Sequence, residues 1–521
     1  MRRRLIGWGP RARPGVSSRE APVRGGPETP VAGARPAVAD SEAANPIARS
    51  PVARLALLVA IAIYVFLFAK WTVRNHFAFG TAGFDLGIFD QGLWLLSRFK
   101  EPFVTVMGTH LFGDHTSFIL LPLVPLYWIW PSAYGLLVVQ CLALGLAAIP
   151  AFLLARWVLR DERLALCVAV AYLLQPAVAY VNLEQFHPDS FEVPLAMLVL
   201  YFMARGRWRL FVGCVIALLL VKEDVALFTL PLGVYVAVRH NRWVGILTAA
   251  VSLAYFVLAV WVILPAFNHI GTLDAWRIPF GGFEGLVETT FTHPWDVIKL
   301  AAGPERPLYL AQLLLPLALL PLGSPLVLTA TGPLLSNLLS TFPYQHEIEY
   351  HYSTLIVPVL VASAALAVRR APRGWLRTAT AVVLVVASLW GAYYWGPSPW
   401  SRKPAPMARV PDPPADAFRT ATALIPPDAP LAAFYRFVPH LAHRTQIYEL
   451  PTPWRATNWS DYRTNGQRLP EADQVDYVLL SPRWDEPDDV ALVQTLRNEG
   501  FVTIYGSPGL LLLKRGPRPS P

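Results

Sequence analysis

The chain has 521 residues, of which 54% are hydrophobic and only 15% are charged, and its mean hydropathy is +0.41. Soluble domains carry roughly 25% charged residues, so this composition excludes an ordinary soluble protein and predicts an integral membrane protein. The formal net charge is +9, but the basic residues stand in short loops between apolar runs and form no single basic face, which argues against nucleic acid as a partner.

The first 51 residues, Met1 to Pro51, are rich in Arg, Pro, Ala and Gly and show no periodicity. Such a composition predicts a disordered tail. The first apolar run, Leu55–Trp71, begins too far from the N-terminus for an ordinary signal peptide, so we interpret it as a signal anchor. The positive-inside rule then places the Arg-rich tail in the cytoplasm.

Residues 52–395 alternate between apolar runs and short polar loops, which predicts an all-α polytopic transmembrane domain. A helix needs ~20 residues to cross ~30 Å of hydrocarbon, and the runs together predict about eleven crossings of the cell membrane. The ten runs after the signal anchor are Ala133–Trp157, Leu164–Val181, Val193–Ala204, Leu210–Val221, Val225–Val238, Val244–Leu264, Leu308–Leu322, Leu326–Leu339, Thr354–Val368 and Ala379–Tyr394.

The loops on the two sides of this domain differ in charge. Those predicted to be cytoplasmic, such as "ARWVLRDER" and "VRRAPRGWLR", are short and rich in Arg, as the positive-inside rule requires. The opposite loops, such as "NLEQFHPDSFE" and "HEIEYHYS", hold nearly all the internal acids and histidines. A charged residue at the bilayer centre costs about 2.5–3.5 kcal/mol, so we expect the consecutive Lys222, Glu223 and Asp224 at the outer boundary or in a wet cavity.

The last segment, residues 396–521, falls on the outer side by the same alternation and is predicted to be a linker and a small extracytoplasmic α/β domain. It holds no Gly-rich phosphate loop and no catalytic-triad spacing, so a binding or packing role is favoured over chemistry. The predicted elements are helices at Ala415–Leu424 and Asp488–Asn498, strands at Leu431–Phe434, Gln446–Leu450 and Val475–Leu480, and a final hairpin that turns at Gly506–Gly509.

Two acids, Asp85 and Asp90, stand in "FDLGIFDQGLW" soon after the first apolar run. If this stretch forms a helix on the membrane surface, residues five apart point about 140° away from each other, so the two acids need not share a site. Asp85 at the start of that helix fits either an N-cap or a functional carboxylate. The histidines in the surrounding loops favour the functional reading, because capping does not account for them.

Three further groups of polar residues are candidates for a binding or metal site. "HLFGDH" offers three N or O metal ligands in six residues but matches no known metal signature, so a polar loop is the alternative. The loops "NLEQFHPDSFE" and "HEIEYHYS" concentrate acids and histidines on the outer side. The ammonium of Lys222, at the end of an apolar run, suits a phosphate that enters from the lipid side. Pairing with Glu223 or Asp224, or snorkelling toward water, is the alternative.

The motifs "FDLGIFDQGLW", "GTHLFGDHTSFILLPLVPLY", "FHPDSFEVP", "KEDVAL" and "EYHYS" resemble a family of multispanning prokaryotic membrane proteins catalogued as a domain of unknown function. That family is similar to the GT-C membrane glycosyltransferases, and the resemblance covers roughly Leu55 to Tyr394. It implies a GT-C-like fold with an acidic first external loop, a polyprenyl-phosphate sugar donor, an envelope glycan or protein as acceptor, and an outer soluble domain.

The resemblance also implies roles for residues. Asp85 matches the first-loop acid that serves as catalytic base, and Asp90 is a second catalytic candidate, although it stands five residues further on where better known members place such acids closer together. The candidates for binding substrate and its phosphate are Lys222, His187, Glu184, His351 and Glu349. Participation of a divalent cation is left open, with His110, Asp114 and His115 as candidate ligands.

Two other classes of function compete with a glycosyltransferase. A secondary transporter places ionisable residues near the middle of the membrane, often in inverted repeats, whereas here they crowd one side. A noncatalytic envelope scaffold that binds glycan through its outer domain is the third reading.

Overall fold

Helices dominate the computed structural model of the chain. The structure describes residues 47–269, 276–372, 374–408, 410–457, 464–483 and 485–517. The predicted disordered tail lies outside the described residues except for residues 47–51.

The predicted signal anchor is confirmed as a helix, Pro51–Phe77. Its N-cap residue Ser50 accepts a hydrogen bond from the Ala53 N–H at 3.2 Å, and Pro51 occupies the first turn, where its missing N–H costs nothing. The helix has 27 residues, which at ~1.5 Å per residue is long enough to cross a bilayer.

Each of the eleven predicted runs contains helix, but fewer helices are long enough to cross a membrane. Five helical stretches of the described chain meet the length and hydropathy required of a span: Pro51–Phe77, Ala133–Leu159, Arg242–Asn268, His351–Arg370 and Gly374–Trp395. The pair Glu162–Leu173 and Pro176–Glu184, bent by 47°, makes a sixth if it is one span. A mostly helical fold with several apolar helices is confirmed, whereas the count of eleven crossings stays a prediction.

The run Leu308–Leu322 illustrates why apolar length overestimates the number of spans. Its α-helix, Arg306–Leu314, gives way to short 3-10 turns at Leu315–Leu317 and Leu320–Gly323. Pro316 and Pro321 each remove a backbone donor, which interrupts an α-helix. A continuous apolar stretch of the sequence therefore does not form one continuous α-helix.

Other helices connect or flank the spans, and several pack between them. They are Ile88–Ser97, Leu111–Asp114, Val124–Ile129, Glu192–Ala204, Trp208–Leu219, Ala226–Arg239, Phe283–Thr292, Pro294–Ala301 and Thr331–Leu339. A two-stranded antiparallel ribbon pairs Phe103–Val104 with Thr109–His110.

The helix Ile88–Ser97 differs from the surface helix that the sequence predicts. It begins three residues after Asp85, at an N-cap residue Gly87 that offers no side chain, so the N-cap reading of Asp85 is wrong. None of its residues is exposed. The C-terminal part of the chain covers one side of this helix: the Gln91 side-chain amide donates to the backbone carbonyl of Arg444 at 3.2 Å.

The C-terminal domain, which we define as residues 396–517, is built on the predicted elements. Its five-stranded mixed sheet has the order Ile447–Glu449, Leu431–Ala433, Tyr477–Leu480, Leu510–Arg515, Phe501–Ser507, with the first three strands parallel and the last two joined as the predicted hairpin. Helices Ala415–Thr422, Val438–Leu441 and Pro487–Asn498 accompany the sheet. Apolar side chains of the sheet and helices form the core of this domain.

The C-terminal domain contacts the turn that precedes the helix Ile88–Ser97. The Gly83 N–H donates to the Tyr435 carbonyl at 2.8 Å, and the Phe84 N–H donates to Oε2 of Glu449 at 3.0 Å. A side chain at Gly83 would collide with the Glu449 carboxylate and come within 2.8 Å of Val438. Glycine is therefore required where the chain passes beneath this domain.

We expect Gly83→Ala to destabilise the protein by about 1–3 kcal/mol, because its Cβ overpacks the contact between the turn and the C-terminal domain. Thermal unfolding of the purified protein in detergent measures the effect. Gly213→Ala is the matched control, since a Cβ there meets no atom within 4 Å. Equal melting temperatures for both variants would contradict the proposed close contact.

Candidate active site

A cavity of about 250 Å³ collects polar side chains from six separate segments of the chain. We call it the central cavity. Its titratable lining residues are Asp85, Asp114, His115, Glu184, His187, Asp189, Lys222, Arg277 and His351, with Tyr344, Tyr350 and Tyr352 beside them. Five of the sequence candidates, Asp85, Glu184, His187, Lys222 and His351, line this cavity; their roles stay proposals.

Asp85 reaches the cavity from a strained turn. Its backbone has φ 73° and ψ −92°, a region that non-glycine residues rarely occupy and that costs about 1–3 kcal/mol. The preceding residues hold the turn through their backbone N–H groups: Ala82 donates to the Gln185 side chain at 3.0 Å, and Gly83 and Phe84 donate to the C-terminal domain. The surroundings thus impose the backbone conformation that presents this carboxylate.

The carboxylate of Asp85 pairs with His187, whose Nε2 lies 3.2 Å from Oδ1. His187 is 5% exposed, and its backbone N–H donates to the Gln140 side chain at 2.9 Å. Burial by itself would raise the pKa of Asp85, but the charges of His187 and His351 outweigh it and lower that pKa. Burial by itself would lower the pKa of His187, but Asp85 and Glu184 raise it to about 9.

A second imidazole lies against the first. The His351 ring stacks on the His187 ring with centroids 4.1 Å apart, and its Nδ1 lies 2.9 Å from Oε1 of Glu184. Its Nε2 is 3.9 Å from Asp189. The two histidines therefore form adjacent imidazole–carboxylate pairs, Asp85–His187 and Glu184–His351.

Lys222 is buried and paired, but its nearest partner is Asp189 and not the Glu223 or Asp224 named by the sequence alternative. Its Nζ lies 3.3 Å from Asp189 and 3.8 Å from Asp224. Burial would lower the pKa of Lys222, but these acids raise it well above its usual value. The pKa of Asp189 is lowered in turn, because the charge of Lys222 overcomes the effect of burial. A phosphate bound at Lys222 must therefore compete with Asp189 for the ammonium.

The next residue, Glu223, pairs with His115. Nδ1 of His115 lies 2.7 Å from Oε1 of Glu223, and the Thr116 N–H donates to Oε2 at 3.1 Å. Burial opposes both charges, yet Asp114 and Glu223 together raise the pKa of His115 to about 9, and His115 lowers the pKa of Glu223 to about 2. This pair fastens the first long loop to the Lys222 turn.

Aromatic rings form one wall of the cavity. The Phe342 ring lies 5.4 Å from Trp276 and 4.8 Å from Tyr344, which stacks on Tyr350 at 4.4 Å. The Arg277 guanidinium sits 4.4 Å from the centre of the Phe342 ring. Sequence reasoning missed Arg277; the signal available was an isolated Trp-Arg pair inside the long segment 265–307.

Three sequence candidates lie outside the lining of the central cavity. Asp90 accepts hydrogen bonds from the Tyr127 hydroxyl at 2.7 Å and from Nε2 of His443 at 3.1 Å. Glu349 is exposed. The ring of His110 stacks on Phe267, and its Nδ1 accepts the Phe112 N–H at 3.1 Å.

The metal ligands expected in "HLFGDH" are consequently not brought together as a set, because His110 points to Phe267 while His115 pairs with Glu223. Another set fits a divalent cation in donor type: Glu184, His187 and His351 offer ligand atoms within 4.8 Å of one another. In the described part of the chain, Oε2 of Glu184 and Nδ1 of His187 are buried without a hydrogen-bond partner. The stacked rings hold their nitrogens side by side, so sharing one ion requires one ring to turn.

Comparisons with known proteins agree on a membrane fold. The model of a family described as "Predicted membrane protein (DUF2079)" matches residues 75–512. Crystal structures of ArnT from Cupriavidus metallidurans share the fold at 14% identity: the apo state has a TM-score of 0.52 and covers 90% of this chain and 99% of that one, and the complex with undecaprenyl phosphate has a TM-score of 0.50 and covers 90% and 100%. No curated protein matches the chain.

We expect the protein to lose stability as the pH rises from 6.5 to 9, and the loss to be smaller in His115→Gln. A histidine whose pKa is raised by folding stabilises the protein fully below its unfolded pKa, and this contribution disappears as the pH passes through the folded value. The difference between the two proteins across this window is expected to be on the order of 1–3 kcal/mol.

Thermal unfolding in detergent at several pH values across this window provides the measurement. His293→Gln, at an exposed position, is the control and should follow the wild type. A pH profile that is identical in His115→Gln and wild type would show that the His115–Glu223 pair does not carry its charge.

Proposed function

Because the chain belongs to the DUF2079 family of predicted membrane proteins and has an ArnT-like fold, we propose that it is a GT-C-type membrane glycosyltransferase. The observation that carries the proposal is the convergence of Asp85, Glu184, His187, Lys222 and His351 in one cavity. Such convergence of residues from separate segments is improbable unless a site selects it.

The proposed donor is a sugar linked through phosphate to a polyprenyl chain, and the proposed acceptor is a hydroxyl group of an envelope glycan or protein. Support for the lipid comes from the fold neighbour that was crystallised with undecaprenyl phosphate. The aromatic wall supplies apolar faces for a sugar ring or for the first isoprene units. The reaction is proposed for the outer face of the cell membrane, the side on which the charge pattern of the loops predicts the cavity loops and the C-terminal domain.

In the proposed reaction the acceptor oxygen forms a bond to the anomeric carbon while the bond from that carbon to the phosphate oxygen breaks. Asp85 takes the proton of the acceptor hydroxyl, a general-base role that contributes about 10²–10⁴ in rate. His187 holds the Asp85 carboxylate in place through their 3.2 Å contact. The polyprenyl phosphate departs with its negative charge, which Lys222 and Arg277 in the cavity lining are placed to offset.

The participation of a divalent cation is a separate part of the proposal. When bound, such an ion held by Glu184, His187 and His351 would supply positive charge in the cavity beside the leaving phosphate.

We expect Asp85→Asn to lower the rate of sugar transfer at least about 10²-fold, because an amide cannot take the acceptor proton. The measurement is transfer from a radiolabelled polyprenyl-phosphate sugar by the purified, reconstituted protein. Asp90→Asn is the matched control: it changes the second sequence candidate, which lies outside the central cavity, and is expected to retain most activity once normalised to folded protein.

The outcomes separate the three classes of function. Full transfer by Asp85→Asn would contradict the proposed base. Uptake of a labelled solute into proteoliposomes without any transfer would support a secondary transporter. Glycan binding with neither transfer nor uptake would support a noncatalytic scaffold.

We expect the wild-type protein to bind Zn²⁺ or Mn²⁺ and His351→Gln to bind it at least about tenfold more weakly, because one of three candidate donors is lost. Calorimetric titration with the metal alone measures binding independently of catalysis. His110→Gln, which changes the ligand predicted from sequence but lying at Phe267, should bind like the wild type. Equal affinity of His351→Gln and wild type would exclude this donor set.

A further inference from the structure

A second cavity, of about 370 Å³, lies between the C-terminal domain and the membrane domain. We call it the junction cavity. It is bounded by the end of the helix Pro51–Phe77, by residues 131–134, and by residues 439–444 of the C-terminal domain. Asp90 lines it, whereas Asp85, five residues earlier, lines the central cavity. The two acids of "FDLGIFDQGLW" thus face two different cavities.

Arg444 places a buried positive charge at the junction cavity. It is 6% exposed; its Nε donates to the Leu441 carbonyl at 2.8 Å and its Nη1 to the Ala429 carbonyl at 3.0 Å. No carboxylate of the described residues lies within 4 Å of this guanidinium, and Asp428 acts on it only from a greater distance. A guanidinium has five N–H donors, so donors remain for a ligand, and a buried charge without an acid partner favours an anion.

Asp90, the acid that lines the cavity, forms no ion pair with this guanidinium. Asp90 is engaged by the Tyr127 hydroxyl and by Nε2 of His443. The His440 ring stacks on His76 at 4.0 Å, and its Nε2 is buried with no hydrogen-bond partner among the described residues. Since burial lowers the pKa of His440 to about 4, its ring is neutral at pH 7 and available as a hydrogen-bond donor or acceptor.

The surroundings of the cavity indicate where its ligand comes from. Phe77 lines the cavity and is exposed. Trp128 and Ile129, which precede the lining residues 131–134 in the sequence, are exposed as well. Trp130 packs edge-on against Tyr134, another lining residue, with ring centres 5.2 Å apart. Exposed aromatic and aliphatic side chains of this kind gather where hydrocarbon meets water. These side chains favour a lipid as the source of an anion for the cavity.

We propose that the junction cavity binds a phosphate-bearing anion, through Arg444 and His440, and that the anion is the head group of an anionic lipid or a soluble phosphate ester. This site is separate from the proposed sugar transfer: it uses none of the residues assigned to the reaction, and it retains its ligand whether or not the protein is a glycosyltransferase. A phosphate or carboxylate accepts two parallel hydrogen bonds from a guanidinium, which gives arginine its preference for such ligands.

The test is a binding titration of the purified full-length protein in zwitterionic detergent with phosphatidylglycerol, with phosphatidylcholine as the zwitterionic comparison. We expect saturable binding of phosphatidylglycerol, weakened at least about tenfold in Arg444→Gln because charge-assisted hydrogen bonds are lost. Ser132→Phe should weaken binding similarly by filling the cavity. Ser132 lines the cavity and makes no side-chain cap hydrogen bond that the substitution would remove. Ser132→Phe therefore tests the binding site even if Arg444→Gln does not fold.

Two controls accompany these variants. Arg436→Gln removes an exposed arginine of the same domain and should bind within about twofold of wild type. Asp85→Asn, which tests the proposed reaction, should leave this binding unchanged, so that failure of either proposal is recognised separately.

Competition with glycerol phosphate identifies the source of the anion. Displacement of the lipid by glycerol phosphate supports recognition of the phosphate group alone, and persistence of the bound lipid supports recognition of a head group at the membrane surface. Two results overturn the proposal: absence of binding by either probe, or equal phosphatidylglycerol affinity in wild type, Arg444→Gln and Ser132→Phe.

Discussion

The hydrogen bond from the Phe84 N–H to Glu449 joins two segments that lie 365 positions apart, and the candidate active site depends on it. Together with the Gly83–Tyr435 and Ala82–Gln185 bonds it fixes three consecutive peptide groups. The next residue, Asp85, has a backbone conformation that persists only where its surroundings impose it. The C-terminal domain is therefore part of the site, and its removal would release the turn that carries the proposed base. Burial raises the pKa of Glu449 to about 7, so a titrating group supports the turn near neutral pH.

Charge pairing governs the rest of the cavity. A buried ionised group is costly unless it is paired and hydrogen-bonded. Three acids of the central cavity meet bases from other loops: Asp85 with His187, Glu184 with His351, and Asp189 with Lys222. Glu223, outside the lining, pairs in the same way with His115. The same contacts that neutralise the charges thereby hold the loops together. A ligand phosphate enters a cavity whose cations already have partners, so its binding requires that some of these pairs loosen.

The sequence predicts those features that arise from local patterns. Apolar runs locate the helices, alternating runs and turn residues locate the C-terminal sheet, and loops rich in acids and histidines locate the central cavity. The number of crossings cannot be read the same way, because prolines such as Pro316 and Pro321 interrupt helices without lowering hydropathy. Partners that meet only in the folded chain carry little local signal, which is why Glu449 and Arg277 are missed and why His110 and Asp90 are grouped with the central cavity, which neither of them lines.

The helix Ile88–Ser97 and its preceding turn place one acid at each of the two cavities. Seven consecutive residues of the C-terminal domain, 443–449, contact the chain next to both acids. His443 binds Asp90 at the junction cavity, and Glu449 accepts the Phe84 N–H beside Asp85. Between them, the Gln91 amide bonds the Arg444 carbonyl, and the Thr105 hydroxyl donates to the Ile447 carbonyl at 2.6 Å. A displacement of residues 443–449 relative to this helix must strain contacts at both cavities, because the connecting strand is short and hydrogen-bonded along its length. The position of Asp85 consequently depends on the segment that carries Arg444, because residues 443–449 contact the residues that line both cavities.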